Sequence, residues 1–403
     1  MGEARLVETN NVLVALSGLE DEGLLERFLG SVVVVPERAT ALPELSRKSV
    51  YVCGDLSRLG ELELAGAARV FAVRELSRGL EGVTFPVVGL GRLPLRVHGV
   101  GAYYRRFFEA DEQLFQRLSA EHTFQSLTES VKPGKAHRTG IYLTPVRREG
   151  DELHFHLLRC STNLSGPSEN FARHDRRIVD ALNQEASFIF EEQARLNHVL
   201  AQLYRNAPAP SVGQKQIKAK ISAHADKTKD MPRSGIMAFC TFYDEFARLS
   251  PLDKDSFDYG YKGKSGLTRL QFRLKDGGAA RAGLPAEFTL TLHPDSVFFM
   301  PLSTNRLYTH ELQSSILNAE LLPTRLGYVV RCSKTEAVHK NGVTFLKLAS
   351  GRVPLEQPTP QGMDELRRLY AEENQSASFI DYGDRFSFSM NAGDYLAPAL
   401  EDD

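Results

Sequence analysis

His224 and Asp226 stand two apart in SAHADKTKD, His310 stands alone in NRLYTHEL, and Arg325 and Arg331 stand six apart in RLGYVVR. His-x-Asp followed at a distance by a single His is the ligand grammar of a facial two-histidine, one-carboxylate metal site. Such a set suits non-haem Fe(II) and leaves half the coordination sphere open for a co-substrate and dioxygen. On a strand, residues i and i+2 share a face, so His224 and Asp226 are expected to project together from KAKISAHAD, where short apolar and polar residues alternate. His310 follows HPDSVFFMPL, which reads as a turn and then a buried strand. RLGYVVR alternates as a further strand, and its two arginines, i and i+6, are expected to face one pocket. Two planar guanidinium forks match a dicarboxylate such as 2-oxoglutarate, which lysine would hold with less geometric definition.

These blocks resemble the AlkB-like Fe(II)/2-oxoglutarate dioxygenases. The resemblance lies in K-x-S-x-H-x-D-K before an apolar strand (KISAHADK, then GIMAFCTFY), in H-x-D-x-V-x-x ahead of R-L-x-x-H (HPDSVFF, then NRLYTH), and in R-x-x-x-x-x-R. It spans about residues 105 to 340 and is strongest from Lys218 to Arg331. It implies that His224, Asp226 and His310 hold iron, that Arg325 takes the distal carboxylate of 2-oxoglutarate, and that Arg331 lies near the metal. The family's asparagine and tyrosine, eleven and nine residues before the first metal histidine, are replaced here by Gly213 and Lys215. That part of the co-substrate pocket is expected from other residues, with Tyr204 and Asn206 of LYRN as candidates. The interval between the metal histidines carries an insertion from about Asp244 to Gly266.

Other histidines compete less well. His154 and His156 in LHFHLL share a strand face with no nearby carboxylate expected on it, and read as ordinary strand residues. His293 and His339 are weaker still.

The elements that position the motifs imply an α+β chain: a double-stranded β-helix (jelly-roll) oxygenase core with flanking helices, preceded by a small α/β domain. Residues 11 to 98 alternate apolar runs (VLVAL, SVVVV, SVYVC, RVFAV) with helical stretches such as DEGLLERFLG. The expected division is 1–98, 99–345 and a C-terminal extension, 346–403. GLGRLPLRVHGVG has paired glycines without a helix start at dinucleotide-loop spacing and reads as a linker. AYYRRFFEADEQLFQRLSAEH reads as an amphipathic helix, and Arg176 to Asn206 as one long helix with Ile178, Leu182, Ile189, Leu196, Leu200 and Leu203 at helical spacing. The polar tail after Ala371 reads as a flexible extension or an added edge strand.

The net charge of −2 gives no general attraction to nucleic acid, so binding there needs a local patch. Lys132, Lys135, Arg138, Lys215, Lys218 and Lys220 supply basic residues, and the insertion adds Phe246, Phe257, Tyr259 and Tyr261 with Lys262 and Lys264. The expected function is therefore hydroxylation of a methyl or alkyl group on a nucleobase in DNA or RNA. The same chemistry on a protein side chain or metabolite is the alternative, and an inactive oxygenase fold acting as a binding module is the third reading. No apolar run is long enough to cross a bilayer, and MGEARLVETNN lacks the pattern of a secretory signal. Cys53, Cys160, Cys240 and Cys332 form no CxxC, so a reducing intracellular compartment, cytoplasmic or nuclear, is expected. Oligomeric state is not written in these patterns.

Overall fold

The computed structural model describes all residues except 1, 17–21, 37–41, 43, 62–63, 65, 110–112, 129–134, 161–162, 210, 212, 214, 245, 276–282, 384 and 401–403. Near the N-terminus, β1 (Asn11–Ala15), β2 (Ser31–Val34), β3 (Ser49–Asp55), β4 (Arg69–Arg78) and β5 (Val87–Val88) form a parallel sheet in the order β2-β1-β3-β4-β5. Val12, Val14, Val50 and Val52 pack on one face, Leu13, Ala15, Tyr51 and Cys53 on the other. Burial on both faces is why these strands read as unbroken apolar runs.

The remaining strands that shape the site follow in chain order. They are β6 (Leu95–Val97), β7 (Gly101–Tyr104), β8 (Lys135–Thr144), β9 (Glu152–Leu157), β10 (His198–Tyr204), β11 (Ile221–His224), β12 (Ile236–Asp244), β13 (Arg269–Leu274), β14 (Glu287–Thr291), β15 (Ser296–Pro301), β16 (Tyr308–Gln313) and β17 (Thr324–Arg331). A large sheet runs β8-β10-β17-β12-β15-β7-β6, antiparallel at each of these steps. A smaller antiparallel sheet runs β11-β16-β13-β14.

Strand alternation gives the large sheet two different faces. Leu326, Tyr328 and Val330 of β17, with Val199, Ala201 and Leu203 of β10, pack outward against helices α1 (Leu114–Glu121) and α2 (Arg173–Ile189). Met237, Phe298 and Met300 point the other way and meet Leu270, Phe272 and Tyr308 of the smaller sheet. Phe272 and Phe298 cross the gap edge to face, with ring centroids 5.6 Å apart. The site lies in this inner layer, beside helix α3 (Leu302–Leu307).

Four expectations are corrected. The stretch read as a linker contains β6, which pairs with β7 at the edge of the large sheet. AYYRRFF opens as β7 rather than as a helix, because Tyr104, Phe107 and Phe108 bury against the outer layer while β7 pairs with β15; among the described residues there, the helix is α1. The long helix stops at Ile189 and HVLAQLY is β10: Leu196, Leu200 and Leu203 fit helical spacing, but Val199, Ala201 and Leu203 bury with period two. Among its described residues the tail beyond Ala371 is packed rather than loose, and it forms isolated bridges, Phe388 with Glu356 and Ala399 with Glu169, rather than a regular strand. Helix α4 (Pro360–Gln375) continues through it, and Ile380, Tyr382, Phe386 and Phe388 then fold back onto Leu366, Leu369 and Tyr370. Among the described residues, no helix is long and apolar enough to cross a membrane.

Candidate metal centre

β11 and β16 lie side by side with His224 paired opposite His310, ring centroids 4.5 Å apart. Nε2 of His224 is 3.5 Å from Asp226 Oδ1, and Nε2 of His310 is 4.0 Å from the same oxygen. One donor atom from each residue lies within 4.8 Å of the other two, so the group can hold a metal ion. An ion about 2 Å from each donor fits that spacing. His310 and Asp226 are buried, whereas His224 keeps 33% of its side chain exposed, which opens the group to solvent on one side.

The electrostatics favour ligation. Nδ1 of His224 lies 2.9 Å from the Ser222 carbonyl, so its proton sits there and Nε2 keeps a free lone pair. Burial, and then the neighbouring His224, push His310 down to about 3, so it is a neutral ligand at pH 7. Burial works against the charge on Asp226, but Arg331 and the two histidines hold its carboxyl well below the usual range. Arg331 Nη2 is 2.8 Å from Asp226 Oδ2, yet no aligned hydrogen bond reaches that oxygen, and His310 Nδ1 is also unpartnered. Oδ2 thus faces the Arg331 cation, and Oδ1 is the oxygen turned to the two imidazoles. The donor set suits Fe(II) and leaves positions open for a co-substrate and dioxygen.

The two arginines share the inner face of β17, opposite Leu326, Tyr328 and Val330. Arg331 is paired with Asp226 at the metal end. Arg325 is six residues away, about 20 Å along the strand, opposite Tyr204 of β10 and Tyr243 of β12. Its guanidinium lies 4.1 Å from the Tyr204 ring centroid, and it forms no ion pair among the described residues. Tyr204, Asn206, Thr268, Ser315 and Pro323 line a hollow with it. Gly213 and Lys215 are exposed.

Asn305 escaped the sequence reading although it opens the quoted NRLYTH. Its Oδ1 accepts from the Asp226 amide at 2.8 Å and its Nδ2 donates to the Asp226 carbonyl at 2.9 Å, a two-point clamp on a ligand residue. A second group of donors, Glu121, His122 and Asp175, is a different case. Both His122 nitrogens are engaged, by Glu169 at 2.9 Å and Asp175 at 2.7 Å, so the ring has no lone pair to offer. His154 does have carboxylates beside it: Glu152 at 3.3 Å, two residues earlier on its own strand, and Glu149 at 3.2 Å from the strand it pairs with.

The insertion folds as a three-stranded sheet over Ser250–Leu252, Asp255–Tyr261 and Lys264–Ser265. Phe246 packs on Tyr259 and Phe257 is buried under Arg105, whereas Tyr261 is exposed beside Lys262. Lys215 and Lys220 are exposed, Lys218 donates to the Ser315 carbonyl, and Arg138 is half-buried. Lys132 and the Lys135 side chain lie outside the described residues.

No family model matches the chain, and no curated protein matches it. Among solved structures it is similar to OsALKBH1, at 12% identity and TM-score 0.34, over 57% of this chain and 97% of that one. It is also similar to a Pseudomonas putida prolyl-4-hydroxylase, at 12% identity and TM-score 0.30, over 58% and 92%. The non-heme alpha ketoglutarate dependent epimerase SnoN from nogalamycin biosynthesis matches at 13% identity and TM-score 0.33, over 64% and 89%.

Proposed function

We propose that the chain is an Fe(II)/2-oxoglutarate-dependent oxygenase with a double-stranded β-helix core. The observation that carries this is the convergence of His224, Asp226 and His310 between two facing antiparallel sheets, with Arg331 on Asp226 and Arg325, along the same strand face, in no ion pair among the described residues. Bound Fe(II) supplies the activation of dioxygen, coupled to decarboxylation of 2-oxoglutarate to succinate and carbon dioxide while one oxygen atom enters a substrate C–H bond. Held by His224, His310 and the single carboxylate of Asp226, a divalent ion would keep net positive charge for the anionic keto-acid end of the co-substrate. Arg325 then offers a two-pronged anchor for the distal carboxylate. The inner apolar layer around Phe239 and Phe272, both against His310, keeps bulk water from the reacting atoms.

For the substrate we infer a methylated or alkylated nucleobase. Lys215 and Lys220 are exposed on the segment that leads into β11, and the insertion presents Tyr261 with Lys262 and Lys264. Cationic side chains track phosphates and an exposed ring stacks a base. A hydroxylated carbon bonded to nitrogen would then leave as an aldehyde.

The test is succinate formation by Fe(II)-loaded protein, with and without a panel of methylated single- and double-stranded DNA and RNA. Stimulation by one oligonucleotide, weakened steeply by salt, is the expected result. Turnover that no oligonucleotide stimulates moves the substrate to a protein side chain or a metabolite. Retained succinate production in both His224→Ala and Asp226→Ala overturns the oxygenase assignment.

A further inference from the structure

The segment joining β11 to β12 has to satisfy its backbone outside any sheet. β11 itself is irregular, its register with β16 shifting between Ile221 and His224. Beyond His224 the ladder supplies nothing, yet Asp226 must stay on the same face as His224. A buried amide needs an acceptor, and three here receive side-chain oxygens from elsewhere. Ala225 N donates to Asn374 Oδ1 at 2.8 Å, Asp226 N to Asn305 Oδ1 at 2.8 Å, and Thr228 N to the Glu373 carboxylate at 3.1 Å. Two of the three acceptors belong to the last turn of α4.

That turn is itself fixed. Glu373 is 5% exposed and accepts from Tyr382 Oη at 2.6 Å as well as from the Thr228 hydroxyl. Lys275 Nζ donates to the Glu373 carbonyl at 2.7 Å and to the Asn305 carbonyl at 3.1 Å, joining α4 to α3. Arg159, paired with Asp230 at 2.6 Å, also donates to the Phe386 carbonyl at 2.7 Å and pins the returning segment of the tail.

We propose that α4 and its returning tail are part of the metal centre, with Asn374 a positioning residue that fixes the peptide between His224 and Asp226, and that metal binding and docking of 360–388 are coupled. This rests on the metal-site reading above. Losing the Asn374 acceptor lets the Ala225 peptide rotate, which spreads the two ligands. Groups that orient ligands in this way typically change metal affinity about 10- to 100-fold. Coupling is reciprocal, so the metal tightens docking by the same factor.

The experiment is anaerobic Co(II) titration of the full chain, followed by visible absorption, together with hydrogen exchange of 360–388 with and without Co(II). Expected are binding by the wild type, about 10-fold or greater weakening in Asn374→Ala with cooperative unfolding retained, recovery in Asn374→Asp, and Co(II)-slowed exchange around Leu366 to Tyr370. Equal Co(II) affinity in wild type and Asn374→Ala overturns the inference and leaves the metal site standing. If the wild type binds no Co(II), the metal-site reading itself falls. Should Asn374→Ala fail to fold, wild-type exchange decides: amides of 366–370 that Co(II) does not slow overturn the coupling.

Discussion

Gly327 sets the room available beside Arg325. A Cβ there would lie 2.8 Å from Arg325 Nη1 and 3.2 Å from Tyr204 Cε2, so any larger residue pushes the guanidinium off its ring. Arg325 has no ion pair among the described residues, and its hold on a carboxylate depends on where the Tyr204 ring places the fork. Gly327→Val is therefore expected to raise KM for 2-oxoglutarate about tenfold or more while leaving Co(II) affinity within about threefold, since Arg331 and the ligands are untouched. Arg325→Lys should act in the same direction, because a single ammonium replaces a two-pronged contact. Equal KM values in wild type and both variants, measured by initial succinate rates, would remove Arg325 from the co-substrate pocket.

The element scale shows what a one-dimensional pattern carries. KISAHAD and RLGYVVR have the period of a strand, and the structure places them as β11 with its following segment and as β17. HVLAQLY misled because leucines at 196, 200 and 203 mimic a helix stripe, while the residues that decide its packing, Val199, Ala201 and Leu203, are two apart. Asn374 left no trace at all: its partner Ala225 is 149 residues earlier, and a hydrogen bond between distant segments has no period. The same holds for the clasp between α1 and α2, where His122 bridges Glu169 and Asp175 and Tyr328 Oη donates to Asp175 at 2.7 Å from the back of β17. Burial disfavours a charged His122, but its two carboxylate partners win and raise it to about 9. A histidine whose pKa is raised on folding stabilises fully below its unfolded value near 6.5 and loses that contribution as pH rises through about 9. Stability is thus expected to fall by roughly 2 to 3 kcal/mol between pH 6.5 and 9.5, and His122→Asn should flatten that slope in urea titrations. A variant with the wild-type slope would remove the clasp as its cause.

At the scale of the whole molecule, one carboxylate joins the N-terminal sheet to the core. Glu185 of α2 is fully buried and receives Arg69 of β4 at 2.6 Å, Arg92 at 3.0 Å and Tyr104 Oη at 2.6 Å. Arg69 also lies 4.0 Å from the Phe188 ring and Arg92 3.6 Å from the Phe107 ring, so both cations are held between aromatic faces with little water. The arginine side chains are only 13% and 16% exposed, and removing Glu185 leaves two cations with no counter-charge where solvent cannot compensate. Breaking a buried pair from one side costs about 3 to 5 kcal/mol, whereas a surface pair would cost under about 1. Because the cations reach Glu185 from β4 and from the stretch before β6, the loss should fall on the joint rather than on either sheet's own core. The wild type is accordingly expected to unfold in one calorimetric transition and Glu185→Leu in two, the lower belonging to the sheet of β1 to β5. The chain has no tryptophan, so calorimetry and hydrogen exchange of β1 and β3 are the suitable readouts. A single transition in the variant, shifted by less than about 1 kcal/mol, would mean that Phe28 and Leu29 packing against Leu95 and Pro94 already suffices to hold the two parts together.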